Sequence, residues 1–165
     1  MIFRGDTDYT WSRPEPNRRR YELLDGESKL AELAWADDDT TAAASSEAQR
    51  WTFTRTGFQS PILTIRNDAE ASDLARFEPH TGGGGVLRLD SLEVEWKPNL
   101  WRGQWSWKTL CGSDLLVFKR NFSSGNREGE MRVRKEALGF SQTLLLALFG
   151  WYMVILVAEE SAIAD

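Results

Sequence analysis

Leu144-Leu145-Leu146-Ala147-Leu148-Phe149-Gly150-Trp151-Tyr152-Met153-Val154-Ile155-Leu156-Val157-Ala158 is a run without a single charge. A helix built from it is apolar on every side and has to be enclosed all round, by protein or by lipid. At about 1.5 Å per residue the run is roughly 22 Å long, whereas a membrane span takes about 20 residues to cross roughly 30 Å of hydrocarbon. Trp151 and Tyr152 sit at its middle, and membrane helices keep such rings near the interfaces. Enclosure by the protein's own sheet is therefore the favoured reading, with a helix over about 140–158; a membrane anchor is the alternative. Gly150 costs a helix interior up to about 1 kcal/mol against alanine, so it points to a strand or bulky side chain approaching closely. The Trp151 indole N–H and the Tyr152 hydroxyl need buried partners in such a site.

Upstream of that run the pattern is short alternating segments separated by turn residues, the mark of an all-β chain. Asp25-Gly26, a strong hairpin signal, parts Tyr21–Leu24 from Leu30–Trp35. Trp51 and Phe53, Leu63 and Ile65, Leu92, Val94 and Trp96, Trp105 and Trp107, and Met131 and Val133 each alternate with polar residues. Roughly ten to twelve strands result, at the spacing usual for sandwiches and barrels. Eight-stranded barrels hold only their own side chains, while wider cans enclose a helix. Strands of six or seven residues, at about 3.3 Å each, match the apolar helix in length. Barrel and helix each supply what the other lacks. The fold expected is one mainly-β domain over 18–165, a closed antiparallel barrel of about twelve strands around a buried C-terminal helix. Residues 1–17, rich in Asp, Arg and Pro, read as a polar, flexible arm. A weak internal echo links Phe53 and Phe58 to Trp96 and Trp101, Leu63 and Ile65 to Trp105 and Trp107, and Phe77 to Phe118. It fits two similar half-barrels, or simply any chain of regular strands.

Over 165 residues, 41% hydrophobic and 27% charged content excludes a disordered chain and a multi-span membrane protein. The net charge of −5 argues against general affinity for nucleic acid. One cysteine, Cys111, allows no internal disulfide, and the first residues lack the apolar run of a secretory signal, so a cytoplasmic location is expected. Cys111 and His80 lie in turn-like contexts with no third group to orient them, and neither a nucleophile–base pair nor a zinc site is expected. Asp37-Asp38-Asp39 lacks the spacing of a calcium loop and reads as a solvated turn. Gly82 to Gly85 reads as a hairpin loop, since no lysine–serine or lysine–threonine pair follows. Asn121-Phe122-Ser123 and Arg4-Gly5-Asp6 match short motifs that arise often by chance. Trp105 and Trp107 share one face. Trp101 is expected to be buried in the wall or cap, although facing solvent beside Arg102 it would seed a partner-binding patch. Arg18-Arg19-Arg20 is the one tight basic run and the candidate ligand site, suited to an anionic headgroup or phosphate.

Four stretches carry a resemblance: Trp51 to Phe58, the tryptophan-rich run Leu92 to Trp107, Leu115 to Arg120, and the apolar run ending Trp151 to Val157. Together, over about residues 20–160, the chain resembles the tubby C-terminal-like superfamily, which also holds the phospholipid scramblases and the LURP-one-related proteins. The resemblance implies a twelve-stranded barrel around a hydrophobic C-terminal helix. Some members bind phosphoinositides through basic side chains and others are linked to lipid movement. No functional residue carries over, because this chain is acidic and has no palmitoylation-type cysteine segment. The expected function is a non-enzymatic binding or scaffolding module without cofactor or metal, its partner an unknown protein or a lipid headgroup. The alternative is a membrane-associated protein, held by the C-terminal run or by the basic patch.

Overall fold

The computed structural model describes residues 2–57, 61–80, 82–120 and 125–164, with side chains described as far as Val157. Phe58 and the Asn121-Phe122-Ser123 tripeptide fall outside the described residues. The strands are β1 (Thr7–Ser12), β2 (Arg20–Asp25), β3 (Ser28–Trp35), β4 (Thr41–Ser45), β5 (Arg50–Thr56) and β6 (Ile62–Asn67). They continue as β7 (Ser72–Phe77), β8 (Gly85–Leu89), β9 (Leu92–Asn99), β10 (Gln104–Thr109), β11 (Asp114–Arg120) and β12 (Arg127–Val133). A short 3-10 turn, Lys135–Gly139, leads into one helix, α1 (Thr143–Ala164). All twelve strands form one antiparallel sheet, ordered β7-β6-β5-β4-β3-β2-β1-β12-β11-β10-β9-β8. The sheet is a nearly closed barrel. β7 and β8 are its two ends and stand side by side, and no backbone ladder joins them among the described residues.

Alternation along most strands turns one face of the sheet inward, around α1. Tyr21 and Leu23, Phe53, Leu63 and Ile65, Val94 and Trp96, Trp105 and Trp107, and Met131 and Val133 are all buried. From Leu144 to Leu156 every residue of α1 is buried too, none with more than 8% of its surface exposed. The expected fit of helix to barrel is met. Strands of five to eight residues span roughly 16–26 Å, which covers the apolar part of α1. The helix starts at Thr143 and its backbone continues to Ala164, later at both ends than the sequence pattern indicates. At its start the Thr143 hydroxyl lies 2.5 Å from the Ala137 carbonyl and 2.9 Å from the Phe140 carbonyl, which ties the helix to the preceding 3-10 turn. The later end follows from Glu159, Glu160, Ser161 and Ala162, which interrupt the apolar pattern without breaking a helix.

Two glycines let the plug and the wall meet. A Cβ at Gly150 would lie 2.6 Å from Phe118 Cε2 and 2.9 Å from Trp107 Nε1. The bare backbone leaves room for the Trp107 indole N–H to donate to the Leu146 carbonyl at 2.9 Å. Gly129 does the same from the wall, where a Cβ would come within 2.6 Å of the Trp151 ring. The Trp151 indole stacks on Trp11, with centroids 5.1 Å apart and planes 3° from parallel. Its N–H has no hydrogen-bond partner among the described residues. The expected partner is thus replaced by a ring contact, because packing against Trp11 and Tyr21 fixes the indole's orientation.

The expected polar arm over 1–17 is not what the structure holds. Residues 7–12 form β1, in the middle of the sheet, laddered to β12 from Thr7↔Val133 to Ser12↔Arg127 and to β2 from Thr10↔Leu24 to Ser12↔Glu22. Phe3, Tyr9 and Trp11 are buried. Tyr9 and Trp11 alternate with Asp8 and Thr10, and this short inward row outweighs the surrounding charge. The internal echo also has a structural counterpart. Phe53↔Ile65 on β5–β6 matches Trp96↔Trp107 on β9–β10, and Leu63↔Phe77 on β6–β7 matches Trp105↔Phe118 on β10–β11. The matching strands are four apart in chain order, so the echo does not divide the twelve into halves.

Candidate functional site

Strand directions sort the loops onto two ends of the barrel. Loops after β1, β3, β7 and β9 lie at the end where the apolar part of α1 finishes; those after β6, β8 and β10 lie at the end where it begins. His80, after β7, and Cys111, after β10, are therefore at opposite ends, separated by about the 20 Å length of a strand. Both are exposed, and no pairing between them is possible. Among the described residues no three His, Cys, Asp or Glu side chains gather as a metal site. Asp38 closes the β3–β4 turn by accepting from the Thr40 and Thr41 backbone N–H groups at 3.0 and 3.1 Å. Those bonds, led by that from Thr40, hold its carboxyl below the ordinary range. The aspartate run is a solvated turn, as its spacing indicates.

Arg18, Arg19 and Arg20 border one open concavity of about 530 Å3, together with Trp35, Asp37 and Asp39. Each already faces a carboxylate. Arg18 pairs with Glu15 at 2.9 Å and Arg19 with Asp39 at 2.5 Å, while Arg20 pairs with both Glu22 and Glu32. The Arg19 guanidinium also lies over the Trp35 ring at 4.8 Å, and the Trp35 ring stacks on Tyr152 of α1. Arg19 thereby caps the rim of the core. Glu32 shows how tightly the outer wall is tied. Burial pushes its carboxyl up, but the hydrogen bonds from Lys29 and Arg20 outweigh it and leave the carboxyl below its usual range.

The most conspicuous group at this end is one expected to be buried. Trp101 is completely exposed, at 101% of its reference area, and Leu100 beside it is 68% exposed. Both sit on the β9–β10 turn, which is held by the Arg102 N–H donating to the Asn99 carbonyl at 3.2 Å and the Gly103 N–H to the Leu100 carbonyl at 3.3 Å. Gly103 takes φ +61°, a left-handed conformation that glycine adopts without strain. Two Gln104 neighbours, Asn99 and Lys119, fix the base of the turn by sheet pairing. Arg102 and Lys119 are both exposed, and neither has a carboxylate within salt-bridge distance among the described residues. The odd–even count that places Trp105 and Trp107 inside does not extend through a turn, which is why Trp101 escapes it.

The class defined by these observations is a nearly closed twelve-stranded barrel with a helix through its centre and an aromatic turn projecting from one end. No family model matches the chain, and no curated protein or solved structure matches it. Among the described residues no helix is long and apolar enough to cross a membrane.

Proposed function

We propose that the protein is a non-enzymatic binding module of tubby-like fold that engages a partner protein on its outer surface, with Trp101 as the anchor. The carrying observation is the full exposure of Trp101 on a turn whose backbone is hydrogen-bonded and sheet-supported. Interface energy concentrates in tryptophan, tyrosine and arginine side chains, and this turn offers Leu100, Trp101 and Arg102 in sequence. The filled interior supports the same reading, because α1 occupies the space in which a barrel enzyme or carrier keeps its cavity. The membrane alternative has less behind it: the apolar residues of α1 are enclosed by strands, and Arg18, Arg19 and Arg20 already face carboxylates.

A photo-crosslinking amino acid placed at Leu100, in cells that make the protein, tests this. A control placed at Ala43, exposed on the outer wall of β4, reports random encounters. A discrete protein adduct at Leu100, absent at Ala43 and lost when Trp101→Ala is added, is the expected result. The same faint ladder from both sites, or an adduct indifferent to Trp101, overturns the reading.

A further inference from the structure

On the reading that Trp101 anchors a partner protein, we infer that this partner is a second copy of the chain, which receives the Trp101 turn in a hollow at the opposite end of its barrel. The hollow has a volume of about 260 Å3. Trp51, Leu74, Leu89 and Leu145 line its apolar floor, and the exposed Glu70, after β6, and Asp90, after β8, stand at its rim. Leu74 belongs to β7 and Leu89 to β8, so the hollow lies where those two strands run without a ladder.

Charge and size both match. Arg102 and Lys119 flank the turn with no carboxylate within salt-bridge distance among the described residues; Glu70 and Asp90 face the hollow with no cation within that distance. Arg66, the nearest cation before the β6–β7 loop, donates instead to the Ala71 carbonyl at 3.0 Å. Docking brings the two unmatched sets together, and arginine holds a carboxylate through two parallel N–H bonds. The turn calls for an acidic partner, and the chain itself, at net −5, is one. A cavity of about 150 Å3 accepts a benzene ring, and drug-sized ligands take roughly 300–1,000 Å3. An indole, a benzene ring with a five-membered ring fused to it, falls between. Because turn and hollow sit at opposite ends of the barrel, two copies joined by one contact still offer a free turn and a free hollow. Such a head-to-tail contact builds assemblies larger than a dimer.

Sedimentation velocity up to about 1 mM, where contacts with millimolar Kd still register, tests this. The parent is expected to form species larger than dimers as its concentration rises. Trp101→Ala, which keeps the hollow, and the double variant Glu70→Lys with Asp90→Asn, which keeps the turn, are each expected to stay monomeric. Mixed one to one, the two are expected to form dimers and nothing larger. All three side chains are exposed, and asparagine tolerates the left-handed φ of +55° at Asp90. Arg102→Glu is a second turn variant expected to stay monomeric, so the outcome does not hang on one substitution. A parent that stays monomeric or stops at dimers overturns the inference. So does a variant that associates like the parent, or a mixture that stays monomeric. With a monomeric parent, a Leu100 adduct to a different protein in cells leaves Trp101 as an anchor, whereas the lack of any adduct removes both readings.

Discussion

Replacing Gly150 by alanine sets two opposed effects against each other, and the structure decides between them. In an ordinary helix interior the change stabilises by about 1 kcal/mol. Here the new methyl group would lie 2.6 Å from Phe118 Cε2 and 2.9 Å from Trp107 Nε1. Neither neighbour has room to move. Phe118 is fully buried against Trp96, with centroids 5.6 Å apart, and Trp107 packs on Trp96 and Phe77. Overpacking of this kind costs about 1–3 kcal/mol. Moving Trp107 also breaks its bond to the Leu146 carbonyl, and a buried donor left unsatisfied costs about 1–3 kcal/mol more. The net effect is a loss of about 3 kcal/mol, or about 6–12 °C in Tm for a domain of this size. Thermal melts followed by circular dichroism, with urea titrations to check that the m-value is unchanged, measure it. A Gly150→Ala protein as stable as the parent, or more so, would mean that wall and plug do not touch as described.

Three further outcomes are expected. Trp107→Phe keeps most of the ring packing but removes the N–H that donates to Leu146, and should cost about 1–2 kcal/mol in urea unfolding; no change would show that the bond carries no net stability. Trp101→Ala should leave stability within about 0.5 kcal/mol of the parent, since the ring touches solvent alone, and a large drop in Tm would place the ring inside. Glu32 has its carboxyl lowered in the fold, so its contribution is present above the ordinary carboxylate value of about 4 and is lost as pH falls through the lower folded value. Glu32→Gln should therefore flatten the acid limb of the stability–pH curve and lower stability at neutral pH, and an acid limb identical to the parent's would remove Glu32 from that account.

Much of this architecture was legible because burial imposes periodicities that a sequence shows directly. An uncharged run containing Gly150 reads as an enclosed helix, and alternation at Phe53, Ile65, Trp96 and Trp107 reads as strands with one face inward. β1 was harder to see, since two inward residues, Tyr9 and Trp11, are a weak signal among Asp6, Asp8, Arg13, Pro14 and Glu15. Trp101 was illegible for a different reason: a turn breaks the count on which inward and outward assignments rest. The Arg18–Arg20 run stands out by composition, but its carboxylate partners come from the preceding loop, β2, β3 and the β3–β4 turn. Glu15 and Glu22 lie near it in sequence; Glu32 and Asp39 do not, and strand pairing alone brings them to Arg20 and Arg19. An apolar pocket beside the β7–β8 seam left no trace in the sequence, because it is assembled from β5, β6, β7, β9, two connecting loops and α1.

The ladder between β1 and β12 joins segments more than a hundred residues apart. During synthesis, every strand after β1 except β8 emerges able to zip to a neighbour already made, whereas β1 must wait for the last strand before its second edge is satisfied. The hydrophobic inner face of the growing sheet stays bare still longer, until α1 has left the ribosome. Long-range closure of this sort slows folding and prolongs exposure to aggregation. A nascent chain stalled just short of Thr143 would thus be a near-complete wall with nothing to wrap, and a natural client for a chaperone.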